Sequence, residues 1–86
     1  MHQKPVHFSE HALEQLHYRG TTKEEIADTI RNGAWQPAEL GRLECRKDFG
    51  YNKDWNGRQY KTKQVRPIFV EEDGEIIVVT VYVYYF

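Results

Sequence analysis

Apolar residues in the first third of the chain recur every three or four positions, which is the spacing of one helix face. Two such stripes occur: Ala12, Leu13 and Leu16, and then Ile26, Ala27 and Ile30. Ser9 precedes the first stripe as an N-cap, and Thr22 with Glu25 forms a T-x-x-E capping box before the second. Gly20 and Gly33 stand where the two helices should end. The pattern predicts two short helices joined by a tight turn, a helical hairpin.

The rest of the chain alternates apolar and polar residues and predicts strands. The expected strands are 43–49, 58–71 and 75–86, with the short run 6–8 as a further strand or a lead-in. Turn residues fill positions 50–57, and Asp73-Gly74 predicts a two-residue hairpin. Pro67 marks an edge position or a bulge because proline donates no backbone hydrogen bond. We therefore expect one α+β domain, residues 1–86. Its two N-terminal helices should pack on one face of a three- to four-stranded antiparallel sheet.

The final strand separates the two faces of this sheet. Its aliphatic face should lie under the helices: Ile77, Val79, Val81 and Val83. Its other face becomes more polar toward the C-terminus: Ile76, Val78, Thr80, Tyr82 and Tyr84. A two-residue turn at Asp73-Gly74 would pair Lys63 with Tyr84 and Val65 with Tyr82. Lys61 and Lys63 then share a face with the tyrosines, unless a bulge at Pro67 shifts the register.

Composition narrows the class of protein. The chain has 86 residues, of which 40% are hydrophobic and 29% are charged, as expected for a small globular domain. No apolar run approaches the roughly 18 residues of a membrane span, and no signal-peptide pattern is present, so we expect a cytoplasmic protein without membrane contact. The single cysteine, Cys45, excludes an internal disulfide.

Charge is distributed unevenly. The segment 42–66 carries eight basic and three acidic residues, a local charge of +5 in a chain whose net charge is −1. A basic segment of this kind either binds phosphates or forms the solvated surface of ordinary strands. The sequence leaves both interpretations open.

Three residues are candidates for catalysis. His11 falls in the first turn of the first helix, where the helix dipole disfavours the imidazolium, so it either serves as a neutral base or merely forms a hydrogen bond to a neighbouring loop. Arg19, at the end of that helix, either complements the negative helix end or binds a phosphate. Thr80 offers a hydroxyl to a phosphate, although threonine is also a common strand residue. No metal or cofactor is expected, because the cap at Ser9 separates His7 from the helix of His11.

A second group suggests a binding surface. Lys61 and Lys63 beside Tyr82 and Tyr84 would combine cations with aromatic rings, as proteins that bind single-stranded RNA do. The alternative is an ordinary exposed sheet face. The same face, or the edge of the sheet, would also suit a protein partner.

Several segments together resemble domain-of-unknown-function family 4258, and the resemblance spans residues 6–84. They are the run FSEHALEQL at positions 8–16, Arg19-Gly20, Glu24-Glu25-Ile26, Ile30, Gly33 and the ending IVVTVY at positions 77–82. That family is associated with the fold of barnase, EndoU, colicin nucleases and RelE toxins. The resemblance implies metal-independent RNA cleavage through attack of a 2′-hydroxyl. His11 would be acid or base, Arg19 and a lysine would hold the phosphate, and Thr80 would orient it.

Two functions therefore follow from the sequence. The first is an RNA-binding domain with metal-independent endoribonuclease activity, like a toxin with an antitoxin as its protein partner. The second is a non-catalytic module that binds a protein through the face or edge of its sheet. The first function needs His11 and Arg19, and the second needs neither.

Overall fold

Local capping interactions set the ends of both helices. The structure, a computed structural model, describes residues 4–86. Over that range its elements are β1 (Val6–Phe8), α1 (Glu10–Arg19), α2 (Lys23–Asn32), β2 (Gln36–Pro37), a 3-10 turn (Glu39–Gly41), β3 (Leu43–Glu44), β4 (Lys47–Trp55), β5 (Arg58–Glu72) and β6 (Glu75–Tyr85). Ser9 accepts a hydrogen bond from the Ala12 amide, and Thr22 accepts one from the Glu25 amide. Gly20, at φ 76°, ends α1 in the left-handed conformation. Both predicted helices are confirmed.

The capping box at α2 is only half formed. The Thr22 hydroxyl accepts from the Glu25 amide at 3.1 Å, as expected. The Glu25 carboxylate does not close the box in return. It accepts from the Thr21 hydroxyl at 2.9 Å and from the Lys63 ammonium at 2.8 Å. A tertiary contact has therefore taken over one of the two local interactions that the sequence predicted.

One sheet carries all the strands that the structure describes between residues 4 and 86. Its six strands run in the order β1-β6-β5-β3-β2, and β4 also pairs with β5. β1 is parallel to β6, and the other pairs are antiparallel. The expected α+β class is confirmed, but the sheet exceeds the predicted three to four strands. β1 and β2 add short strands, and β4 extends to Trp55 through a region that was predicted to be a turn.

Pro67 divides the strand that was predicted at positions 43–49. β3 and β4 share one register on β5, since Leu43 lies opposite Phe69 and Lys47 opposite Val65. The gap between these two short strands lies opposite Pro67. Because proline has no amide hydrogen, the ladder lacks a donor at that point and breaks into two pieces.

A bulge in β6 shifts its register on β5. The predicted pairing holds up to Phe69 and Val78, and the next pair is Ile68 with Thr80. Val79 is therefore an extra residue, and its carbonyl accepts a hydrogen bond from the Ser9 hydroxyl at 3.0 Å. The side chain that caps α1 thus also anchors the bulge.

The shifted register changes which residues face the helices. Val65 lies opposite Val83, and Lys63 lies opposite Tyr85, so the predicted partners Tyr82 and Tyr84 are wrong. Before the bulge the predicted faces are also exchanged. The buried core consists of Ala12, Ile26, Ile30, Cys45, Val65, Phe69, Ile76, Val78 and Val81. Ile76 and Val78 thus replace Ile77 and Val79, both half-buried, while Val81 and Val83 pack as predicted.

The helices cover one side of the sheet, α1 over β6 and α2 over β5. Ala12 and Leu16 of the predicted α1 stripe contact the core, but Leu13 is 41% exposed. Trp35 closes one end of this layer, because its indole N–H donates to the Ile30 carbonyl and its ring packs edge-on against Phe69. Neither helix in the described range combines the length and apolarity needed to cross a membrane.

Candidate functional site

A groove lies on the sheet face that the helices leave open, and we call it the sheet groove. Its volume is about 540 Å³. The sheet contributes Pro37, Glu44, Arg66, Ile68, Thr80 and Tyr82, and the connection between β2 and β3 contributes Ala38, Glu39, Leu40 and Arg42. Two of the residues predicted from the sequence, Thr80 and Tyr82, therefore line one concave surface.

The bulge at Val79 places these residues on the open face. Beyond it, Thr80 and Tyr82 lie opposite Ile68 and Arg66 of β5. Because side chains alternate along a strand, the four side chains share one side of the sheet. Had the two-residue turn kept its register, Tyr82 would face Val65 instead of an arginine. The site thus depends on a single extra residue.

Tyr82 contacts two arginines. The Cζ atom of Arg66 is 5.4 Å from the centre of the tyrosine ring, and that of Arg19 is 5.6 Å from it. Arg66 is on the neighbouring strand β5, whereas Arg19 ends α1, which packs on β6 and β1. The two guanidinium groups thus come to one ring from different elements. Tyr82, which is 38% exposed, is therefore an aromatic ring in contact with two cations.

Arg66 is held by neighbours on the open face. Its Nε donates to the Glu44 carboxylate at 2.6 Å, and its Nη1 donates to the Tyr84 hydroxyl at 3.2 Å. The hydrogen bond from Arg66 keeps the pKa of Glu44 below its ordinary value, so this carboxylate is ionised at neutral pH. Glu44 offsets much of the charge on Arg66, which acts mainly as a fixed part of the groove wall.

Arg19 and Arg42 carry charge without such compensation. Arg19 Nε donates to the neutral Gln15 amide oxygen at 2.7 Å. Within residues 4–86, neither arginine forms an ion pair with an acidic side chain. A guanidinium with free donors and no acidic partner is suited to bind a phosphate with two parallel hydrogen bonds.

Lys63 does not belong to the sheet groove. Its residue is only 7% exposed, and its ammonium donates to Glu25 at 2.8 Å and to the Gly20 carbonyl at 3.0 Å. The prediction that Lys63 shares a face with Tyr82 and Tyr84 is wrong, because the bulge in β6 moves the two tyrosines to the open face, whereas Lys63 lies with Val65 and Phe69 on the side of β5 that faces the helices. There it neutralises Glu25 and caps the C-terminal end of α1.

Two further predicted residues lie elsewhere. His11 is exposed in the first turn of α1, as expected, but it is not among the residues that line the groove. Lys61 is exposed on β5, also outside the groove lining. The structure therefore brings Thr80 and Tyr82 into the groove with Arg66. Arg19 and Tyr84 lie outside the groove lining but contact it, Arg19 through Tyr82 and Tyr84 through Arg66. His11, Lys61 and Lys63 lie apart.

The sequence alone does not indicate Arg42, Glu44 or Arg66 as site residues. Both arginines belong to the basic segment 42–66, but its charge does not show which of its eight cations lie close together in the fold. The pairing of Arg66 with Tyr82 could not be read from the sequence, since it requires the register after the bulge.

No metal site accompanies the groove. Across residues 4–86, no three histidine, cysteine, aspartate or glutamate side chains gather in a way that would hold a metal ion.

Comparison with known proteins gives no relative, as no family model, curated protein or solved structure matches this chain.

Proposed function

We propose that this protein binds single-stranded RNA in the sheet groove. The observation that carries the proposal is that Arg42, which has no acidic partner among the described residues, lines the groove together with Thr80, while Arg19 lies 5.6 Å from the ring of the groove residue Tyr82. Arginine side chains and the hydroxyl groups of serine and threonine are frequent donors of hydrogen bonds to nucleic-acid phosphates. The phosphate contacts in this proposal are Arg42, in the groove lining, and Arg19, which contacts Tyr82 from outside the lining; neither has an acidic partner among the described residues.

The surroundings of the groove suit a flexible strand. Tyr84 is 42% exposed beside Arg66 and offers a ring on which a base can stack. The groove volume of about 540 Å³ falls in the range of roughly 300–1,000 Å³ that small-molecule sites occupy. One nucleotide thus fits inside, and neighbouring nucleotides continue along the open sheet face.

The binding test is a fluorescence anisotropy titration with a labelled single-stranded oligoribonucleotide at several salt concentrations. Arg19→Ala and Arg42→Ala should each weaken binding and reduce the slope of log affinity against log salt by about one phosphate contact. Lys61→Ala is the control, because this exposed cation of the basic segment neither lines the groove nor contacts Tyr82. An equal loss in Lys61→Ala would show non-specific attraction, and no binding at about 50 mM salt would overturn the proposal.

We also propose that the helices and sheet have a RelE- and barnase-like arrangement and that the chain belongs to domain-of-unknown-function family 4258. Two N-terminal helices on one face of the sheet, with cations collected on the other, support it. RNA cleavage is a separate step that needs a proton acceptor as well as cations. Since His11 lies outside the groove lining, catalysis stays a prediction.

A protein partner such as an antitoxin is the second candidate. The observation that favours it is a set of exposed apolar side chains around the open face: Leu40, Tyr82, Tyr84 and Phe86. Exposed aromatic residues of this kind are frequent at protein interfaces. Failure of RNA binding in the titration would favour this function.

A further inference from the structure

Leu40 has a backbone conformation that its residue type disfavours. Four residues other than glycine have positive φ in the described range: Leu40, Asn52, Asn56 and Asp73. Asparagine and aspartate tolerate the left-handed region because their short polar side chains bond locally, whereas leucine does so at a cost in energy. Leu40, at φ 59° and ψ 33°, is the exception among the four.

Packing does not compensate for this conformation. Leu40 is 84% exposed, so its side chain gains little from burial. The turn around it is closed by backbone hydrogen bonds, from the Ala38 amide to the Arg42 carbonyl at 2.8 Å and from the Arg42 amide to the Glu39 carbonyl at 3.2 Å. The chain therefore presents a leucine to solvent on a held, strained turn, which is typical of functional sites.

The position of Leu40 suggests what it contacts. It lies in the part of the groove lining that the β2–β3 connection forms, and Thr80 and Tyr82 of β6 line the same groove. Arg42, two residues further on, also lines this groove and has no acidic partner among the described residues. An apolar side chain and a cation suited to bind a phosphate are thus presented by one turn.

We propose that Leu40 is a base-contacting residue of the sheet groove. It packs against the face of one unstacked nucleobase while Arg42 binds the adjacent phosphate. This inference rests on the proposed RNA binding and narrows its ligand to chains that carry bases. A bare phosphodiester chain would satisfy the arginines but leave Leu40 in water.

Substitution of Leu40 should change stability and binding in opposite directions. Leu40→Asn keeps a residue that tolerates positive φ and removes the apolar surface. We expect its melting temperature to rise by about 4–8 °C, as for the relief of a strained residue in a domain of this size. We expect its affinity for the oligoribonucleotide to fall at least about fivefold, with an unchanged salt slope. Leu40→Met, which keeps an apolar side chain, should retain the wild-type affinity.

A second probe separates base contact from phosphate contact. An abasic oligonucleotide of the same length should bind wild-type protein more weakly than the oligoribonucleotide, and Leu40→Asn should abolish most of that difference. Equal affinity of wild type and Leu40→Asn for the oligoribonucleotide would overturn the role of Leu40 and leave RNA binding intact. Equal wild-type affinity for both probes would do the same. Absence of wild-type binding to either probe would overturn the proposed function and this inference with it.

Discussion

Lys63 and Glu25 form an ion pair beneath the helices, with 2.8 Å between the ammonium nitrogen and a carboxylate oxygen. The same ammonium donates to the Gly20 carbonyl at the end of α1, and Thr21 donates to the same carboxylate oxygen. One lysine on β5 therefore joins the end of α1 to the first turn of α2. A charged side chain of the sheet, Lys63, thus stabilises the tight turn between the two helices.

Loss of this lysine should destabilise the fold. Lys63→Ala leaves the Glu25 carboxylate partly buried without its cation, and breaking a buried ion pair on one side is costly. We expect a loss of about 2–4 kcal/mol in the free energy of unfolding, below the range for fully buried pairs because Glu25 is partly exposed. Urea denaturation measures it. Lys61→Ala, two residues away and exposed, should change stability by less than about 0.5 kcal/mol. A Lys63→Ala variant of unchanged stability but weaker RNA binding would contradict this assignment.

Gly20 should be irreplaceable for two reasons that a pair of variants separates. It has φ 76°, and a Cβ at this position would lie 2.5 Å from the Tyr85 hydroxyl oxygen and 2.6 Å from a ring carbon of Trp55. Gly41 has a similar φ of 71° but open space around it. Gly41→Ala should cost about 1–2 kcal/mol for the backbone alone, and Gly20→Ala should cost at least about 1 kcal/mol more. Similar unfolding free energies for the two variants would show that the contact with Tyr85 and Trp55 yields easily.

Protonation of Glu44 at low pH should lower the free energy of unfolding of the protein. The pKa of this carboxylate is lowered from its ordinary 4.5, chiefly by the hydrogen bond from Arg66. A lowered pKa in the folded state contributes stability that is fully present above pH 4.5 and is lost as the pH falls through the folded-state value. Glu44→Gln should therefore be less stable than wild type at pH 7, and the gap should close toward pH 2. Denaturation at several pH values measures this gap, with Glu39→Gln as the control, since Glu39 is an exposed groove residue with no ion pair in the described range. A constant gap for Glu44→Gln would rule out the linkage.

The cleavage hypothesis has a separate test. If the protein cuts RNA as the family resemblance implies, product should form in the presence of a chelator and carry cyclic phosphate ends. His11→Ala should then lower the rate by roughly two to four orders of magnitude. His17→Ala serves as the control, since His17 is exposed further along the same helix. Cleavage that requires a metal, or that survives intact in His11→Ala, would exclude this mechanism.

The sequence by itself determined the features that depend on neighbouring residues. Ser9, Thr22 and Gly20 act within a turn of their own positions, so the helix boundaries could be read directly. Asp73-Gly74 likewise forms the predicted hairpin turn, with positive φ at both residues. Alternating apolar residues then indicated a sheet under the helices, and the α+β class followed.

The tertiary structure alone decided which side chains meet. A strand repeats every two residues, so the one extra residue at Val79 exchanges every later side chain between the two faces. This bulge is anchored from α1 through Ser9, a contact that no local pattern reveals. It aligns Arg66 with Tyr82, which Arg19 contacts from the end of α1, and it moves Tyr82 and Tyr84 away from the face on which Lys63 pairs with Glu25. The register between β5 and β6 is fixed only when the helices and strands pack together. Residues that could be named from the sequence therefore form a site only in the folded structure.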